Sequence, residues 1–234
     1  LGTGDDLTVK ALQVNGTLSL AGTAALRLGT ATRPGAITSD GSGASISSTG
    51  TPTITDKVAD FQFDVKNSGV VALSGGTIQN PDDNGLNIAS SAGAAIDIDN
   101  ITFANDDGLA TGTYIKMGDT SIAANTYTWE GNTFNTGSQY NVSTVNNAGV
   151  VVSGIQMSGW SGTRGGATYE NDKAGGTVTP GSIEWPEKTW DGGGNSSLWS
   201  TANNWSPNVV PTAGERVVIP AKGTSNNLSP YFTG

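Results

Sequence analysis

One phrase recurs along the middle of this chain, and it constrains the fold more than any other feature. Phe61-Gln-Phe-Asp-Val65 leads into Gly69-Val-Val-Ala-Leu73 and Thr77-Ile-Gln-Asn80. Leu86-Asn-Ile-Ala89 leads into Gly93-Ala-Ala-Ile-Asp-Ile98 and Ile101-Thr-Phe103. Tyr114-Ile-Lys-Met117, Tyr140-Asn-Val-Ser143 and Thr168-Tyr-Glu-Asn171 open three further copies. The copies start at 61, 86, 114, 140 and 168, so they are 25, 28, 26 and 28 residues apart. Each holds short runs of alternating apolar and polar residues, closed by Gly, Asn or Asp. No copy can bury its apolar face alone, so the copies must stack.

Three short strands at about 3.3 Å per residue, plus their turns, use up one such period in a single circuit. The spacing therefore predicts an all-β chain, a right-handed parallel β-helix (β-solenoid) of about 25–28 residues per coil. Coils about 4.8 Å apart then bury a continuous core. The inward positions expected are Phe63, Val71, Leu73, Ile78, Ile88, Ile96, Ile98, Ile101, Phe103, Ile115, Val142, Val150, Val152 and Ile155. A β-sandwich also has many short strands, but it does not require this recurrence. Helix is not expected anywhere, because Gly or Pro interrupts nearly every ten-residue window.

Three regions follow. Residues 1–60 read as irregular first coils, with 35–56 a Gly/Ser/Thr-rich thin rung, excursion or cap. Residues 61–185 read as regular solenoid. Residues 186–234 differ, with three of the six Trp and five of the nine Pro. They read as a Trp/Pro-rich linker module leading to a next unit.

Composition excludes several chemistries. With no Cys there is no disulfide framework, thiolate metal site or Cys nucleophile. With no His there is no imidazole acid or base and no Ser–His–Asp triad. A net charge of −9 argues against nucleic acid and anionic membrane surfaces as partners. No apolar stretch of about 18 residues exists, so no helical membrane insertion is expected. No signal peptide is visible at Leu1. Both ends read as cut, so the chain is expected to be a segment or processed form of something longer.

The stretch from Thr189-Trp-Asp-Gly-Gly-Gly through Ser200-Thr-Ala-Asn-Asn-Trp205 to Val217-Val-Ile-Pro220 is distinctive. It resembles a segment of large secreted bacterial surface proteins, the repeat-containing β-solenoid adhesins of type IX-secreted or autotransporter-like kind. The resemblance covers about 32 residues and brings no catalytic residues with it. It implies an extracellular or cell-surface location. It also implies that the phrase leads into further coils, of which Leu7-Thr-Val-Lys-Ala-Leu-Gln-Val14 is an example. Read head to tail, residue 234 continues naturally into residue 1. The expected function is thus structural, in a fibre, surface layer or adhesin stalk. The expected partners are copies of itself or neighbouring repeats.

Two other classes were weighed. A carbohydrate-binding adhesin module would need exposed aromatics, and Trp160, between Gly159 and Ser161, is the strongest candidate. Trp190, Trp199, Trp205, Tyr231 and Phe232 are candidates for contact between units, with a small aromatic core of the module as the alternative for Trp199 and Trp205. A polysaccharide lyase or hydrolase would need carboxylates beside a base. The doublets Asp82-Asp83 and Asp106-Asp107 occupy equivalent turns and would stack one coil apart. They read as solvated turns, with weak calcium binding as the alternative, because stacked carboxylates repel unless a cation separates them. No catalysis and no other cofactor is expected. Asn-x-Ser/Thr occurs at Asn15, Asn100, Asn141, Asn195, Asn204 and Asn227, which matters only where the source glycosylates such sites. Asn residues near coil turns are also suited to hydrogen-bonded ladders between coils.

Overall fold

A computed structural model describes residues 1–220 except 31, 58–59, 90, 106–111, 118–126, 144–154, 172, 175–176, 179–182, 185–187, 195, 207 and 212–216. The chain divides into two units, Leu1–Glu184 and Trp185–Gly234.

The first unit is a parallel β-solenoid of about six turns, and no α-helix occurs among the described residues. Its first face is a six-stranded parallel sheet of β2 (Ala11–Val14), β5 (Ala36–Asp40), β8 (Phe61–Lys66), β10 (Pro81–Ile88), β12 (Thr113–Met117) and β15 (Tyr140–Ser143). The register runs Leu12, Ile37, Phe63, Leu86, Ile115, Val142. A second face stacks β3 (Thr17–Gly22), β6 (Ser45–Gly50) and the first half of β9 (Val70–Gln79), with Leu18, Ile46 and Val71 in line. Ile96 of β11 (Ile96–Ala104) follows Val71. The third face begins with β1 (Asp6–Val9), β4 (Ala25–Leu28) and β7 (Thr53–Asp56). It ends with the second halves of β9 and β11, then β14 (Thr133–Phe134). Its ladder is Leu7, Leu26, Ile54, Ile78, Phe103, Phe134. Further along, β13 (Tyr127–Glu130), β16 (Ile155–Ser158) and β19 (Ile183–Glu184) pair in parallel, and β17 (Lys173–Ala174) pairs antiparallel with β18 (Thr177–Val178).

The core is a stack of identical positions. Every described residue of the expected inward set is buried, and Phe103, Ile115 and Val142 are wholly so. Val150 and Val152 lie outside the described residues. Leu20, Leu26, Ile37, Ile46, Phe61, Tyr114, Trp129 and Phe134 belong to the same core. Aromatics gather at its centre. The Phe103 and Phe134 rings stack with centroids 5.3 Å apart and planes 4° apart. Tyr114 leans on both, at 5.7 and 6.4 Å. Burying such rings is the largest apolar contribution per residue available to a chain of this composition.

Residues 1–60 are more regular than their composition suggests. The ladders pass position 60 without a break, since Ile37 pairs with Phe63 and Ile54 with Ile78. The Gly/Ser/Thr-rich stretch is a full coil whose inward positions combine Ile37, Ile46 and Ile54 with small side chains. Ser39 and Ser48 are buried and donate to the Val70 and Gly75 carbonyls of the next coil, at 3.1 and 2.8 Å. A hydroxyl bonded in this way occupies a core position without the cost of an unsatisfied polar group.

In the second unit β20 (Lys188–Trp190) pairs antiparallel with β21 (Trp205–Ser206) and parallel with β22 (Val217–Val218).

Candidate functional site

Four features of the described residues bear on function. The first is a set of polar bridges between successive coils. Asn67 Nδ2 donates to Asp40 Oδ1 at 2.8 Å, Asn80 Nδ2 to Asp56 Oδ1 at 3.0 Å, and Asn87 Nδ2 to Asp64 Oδ1 at 2.8 Å. In each pair an amide reaches a carboxylate one coil earlier, as expected for Asn near coil turns. Two deeper Asn clamp the backbone itself. Asn132 donates to the Ile98 carbonyl at 2.6 Å and accepts from the Ile101 N–H at 2.9 Å. It thereby bridges the corner made by Asn100, whose φ is +55°. Asn141 donates to the Arg164 and Gly166 carbonyls at 2.8 and 2.9 Å. Asn141 and Asn204 are fully buried, so two of the six Asn-x-Ser/Thr sites are closed to glycosylation in the folded chain.

The second feature is the outer flank of the first face. Pro81 pairs with Phe61, but Leu86 pairs with Phe63, so β10 carries three more residues than β8 between these points. Such a bulge re-aims side chains. Here it turns out Asp82, Asp83 and Asn84 and closes at Gly85, whose φ is +60°. A Cβ on Gly85 would run into the Thr113 and Tyr114 carbonyl oxygens, so only glycine fits this close approach. Lys116 of β12 reaches across, and its Nζ donates to Asn84 Oδ1 at 2.8 Å. Asp82 accepts from the Asn84 N–H at 2.9 Å and also from the Asn84 side chain. Burial, followed by the charges of Asp64 and Asp83, holds the Asp82 carboxyl above the usual carboxylate range despite those bonds. Beside the bulge lies a shallow concavity of about 460 Å³, where small residues in register, Ala11 and Ala36, lower the surface between Lys10, Asp60, Gln62 and Asp82. No aromatic ring lines it. Asp83 is exposed, and Asp106 and Asp107 lie outside the described residues. No group of three or more carboxylates converges as a metal site among the described residues.

Asp97, on the outer surface of the second face, behaves similarly. Desolvation, then the neighbouring charge of Asp99 and that of Glu130, push its carboxyl upward. Asp99 is held by the Glu130 N–H at 2.7 Å.

The third feature is the open first coil. Leu7, Leu12 and Leu18 occupy the inward position of the three ladders, beneath Leu26, Ile37 and Ile46. Those three partners have no exposed surface. The three leucines are partly exposed, and among the described residues no coil lies beneath them. Leu1 covers part of the second face only, its carbonyl accepting from the Ala21 N–H at 3.0 Å and its amine donating to the Ser19 carbonyl at 2.8 Å.

The fourth is the placement of the aromatics, which corrects two expectations. Trp160 is not an exposed platform. It keeps 8 % of its surface, with Gly165 packed so closely on its ring that a Cβ would collide with it. The close approach of Gly165 marks a tight wrap over the ring rather than a solvent-facing loop. Trp190 and Trp205 do not offer a contact face either, while Trp199 is partly exposed. Trp190 and Trp205 are buried and meet edge to face at 5.1 Å. Trp199 meets Trp205 at 4.6 Å, and its carbonyl accepts from Trp205 Nε1 at 2.9 Å. They form the second unit's own core, the alternative reading for Trp199 and Trp205. Asn204 ties the surrounding loop, accepting from the Gly194 N–H at 2.9 Å and donating to the Ser196 and Leu198 carbonyls at 2.9 and 3.0 Å. Tyr231 and Phe232 lie outside the described residues.

The sequence contained a signal for the bulge in Asn84-Gly85, a turn dipeptide inside a strand phrase. No local pattern could place Lys116 against it, because the contact crosses a whole coil. No protein-family model, no curated protein and no solved structure matches the chain.

Proposed function

We propose that this chain is a structural rod segment of an extracellular fibre, surface layer or adhesin stalk, joined end to end through its coils to copies of itself or to neighbouring repeats. The unbroken register of the coils supports this reading. Leu7, Leu12 and Leu18 stand in line with Leu26, Ile37 and Ile46, so a preceding parallel coil with apolar inward positions, in the same polypeptide or in another copy, would continue all three ladders by strand addition. The rest of the molecule suits a load-bearing role. Its stability is distributed over repeated ladders, it has no Cys to oxidise, and its net charge of −9 opposes side-by-side clumping. The secreted, cell-surface setting rests on the Trp-rich phrase and its resemblance to β-solenoid adhesins. Among the described residues Trp160 is buried and no ring lines the flank concavity, so the observations favour the structural reading over glycan stacking at these two places.

Negative-stain electron microscopy of the purified chain tests the reading. The expected result is filaments one solenoid wide that lengthen with protein concentration. Discrete single particles at every concentration would overturn it.

A further inference from the structure

The Asp82–Gly85 bulge places three reactive groups in one chain of contacts. Lys116 Nζ lies 2.8 Å from Asn84 Oδ1. The Asn84 side chain and N–H both donate to the Asp82 carboxyl. Asn84 and Lys116 belong to successive coils, and both are partly buried. The Lys116 ammonium thus rests on a neutral amide. Solubility or charge pairing does not call for that arrangement.

We propose that Lys116 and Asn84 react to form an intramolecular isopeptide bond that ties adjacent coils covalently. Lys116 Nζ, as the free amine, attacks Asn84 Cγ. The Nζ–Cγ bond forms and the Cγ–Nδ2 bond breaks. The proton shed by Nζ ends on Nδ2, the group that already donates to Asp82, and Nδ2 leaves as ammonia. Lysine and asparagine thus become one secondary amide and one ammonia, with no oxidant, reductant or cofactor.

The physical argument is proximity followed by proton transfer. An amide is a poor electrophile, so the reaction needs a nucleophile held permanently at contact distance, where its effective concentration is very high. The bulge and Gly85 supply that position, since a regular strand would not direct Asn84 toward Lys116. It also needs a carboxyl that exchanges a proton readily. Burial and the charges of Asp64 and Asp83 raise the proton affinity of Asp82 in that direction. The inference stands whether or not the chain forms fibres.

Intact-mass spectrometry of the folded, purified chain tests it. The wild type is expected to be lighter than its sequence by one ammonia, and a tryptic digest to contain a branched peptide joining residues 84 and 116. Lys116→Arg and Asn84→Ala are expected to carry their full masses, and Asp82→Asn to cross-link slowly or not at all. Asn84-Gly85 can lose ammonia another way, by closing a succinimide on its own backbone. That product persists in Lys116→Arg and is cleaved by hydroxylamine. A full mass in the folded wild type, or a loss that survives Lys116→Arg, would overturn the proposal.

Discussion

Leu12 lies directly beneath Ile37 in one inward ladder, yet Ile37 is fully buried while Leu12 is partly exposed. The two residues have the same chemistry and the same orientation. They differ only in whether a coil lies on both sides. In a solenoid each coil's apolar surface is completed by its neighbours, and among the described residues Ile37 has a coil on both sides while Leu12 has one on a single side.

The cost of truncation should therefore depend on position along the stack. Phe134→Ala removes a ring stacked on Phe103 and is expected to cost about 3–5 kcal/mol in urea denaturation. Leu12→Ala, at the open face, is expected to change stability by about 0.5 kcal/mol, like an ordinary surface substitution. Equal losses at the two positions would mean that the first coil is covered.

The buried asparagines should be as costly to remove as core residues. Asn132→Ala leaves the Ile98 carbonyl and the Ile101 N–H without their partner inside the core. The expected loss is about 2 kcal/mol, read from the urea midpoint. Asn132→Asp is expected to be no better, because the carboxylate cannot donate to the Ile98 carbonyl.

The raised carboxyl of Asp97 predicts a pH-dependent stability of definite sign. A carboxyl whose folded value lies above the ordinary 3.8 holds its proton more tightly in the native state than in the unfolded chain. Below 3.8 both states are protonated and Asp97 costs nothing. As pH rises through the carboxylate range, the native state loses ground and stays lower at neutral pH. Asp97→Asn should therefore raise the melting temperature at pH 7, by an amount worth less than about 1 kcal/mol at so exposed a site. The gain should vanish in acid. A gain that persists in acid would point to packing rather than charge.

The second unit should report its own unfolding. Asn204→Ala removes the group that ties the loop around Trp199 and Trp205. The expected result is a red-shifted tryptophan emission and faster amide exchange in residues 188–206, with the solenoid's exchange unchanged.

The architecture was legible in the sequence because the solenoid writes its period directly into the chain. The starts at 61, 86, 114 and 140 match strands β8, the paired part of β10, β12 and β15 to within a residue. The earlier coils were harder to read. Their inward positions use Ser39, Ser48 and Ala44, which look like loop composition until the next coil's carbonyls are in place to satisfy the hydroxyls. The aromatic sites misled for a related reason. Trp160 sits between Gly159 and Ser161, a context that suggests exposure, but the chain five residues on passes over the ring at Gly165 and buries it. The Lys116–Asn84 contact could not be read at all. The two residues are 32 apart, and only the combination of coil period and bulge brings them together.

Sedimentation velocity on the wild type and on Leu12→Asp tests the central claim most directly. Stacking of another copy onto the first coil predicts concentration-dependent association of the wild type into longer species. It also predicts that a carboxylate placed among Leu7, Leu12 and Leu18 abolishes this without lowering the melting temperature. A wild type that stays monomeric at all concentrations, or association that Leu12→Asp leaves intact, would contradict it.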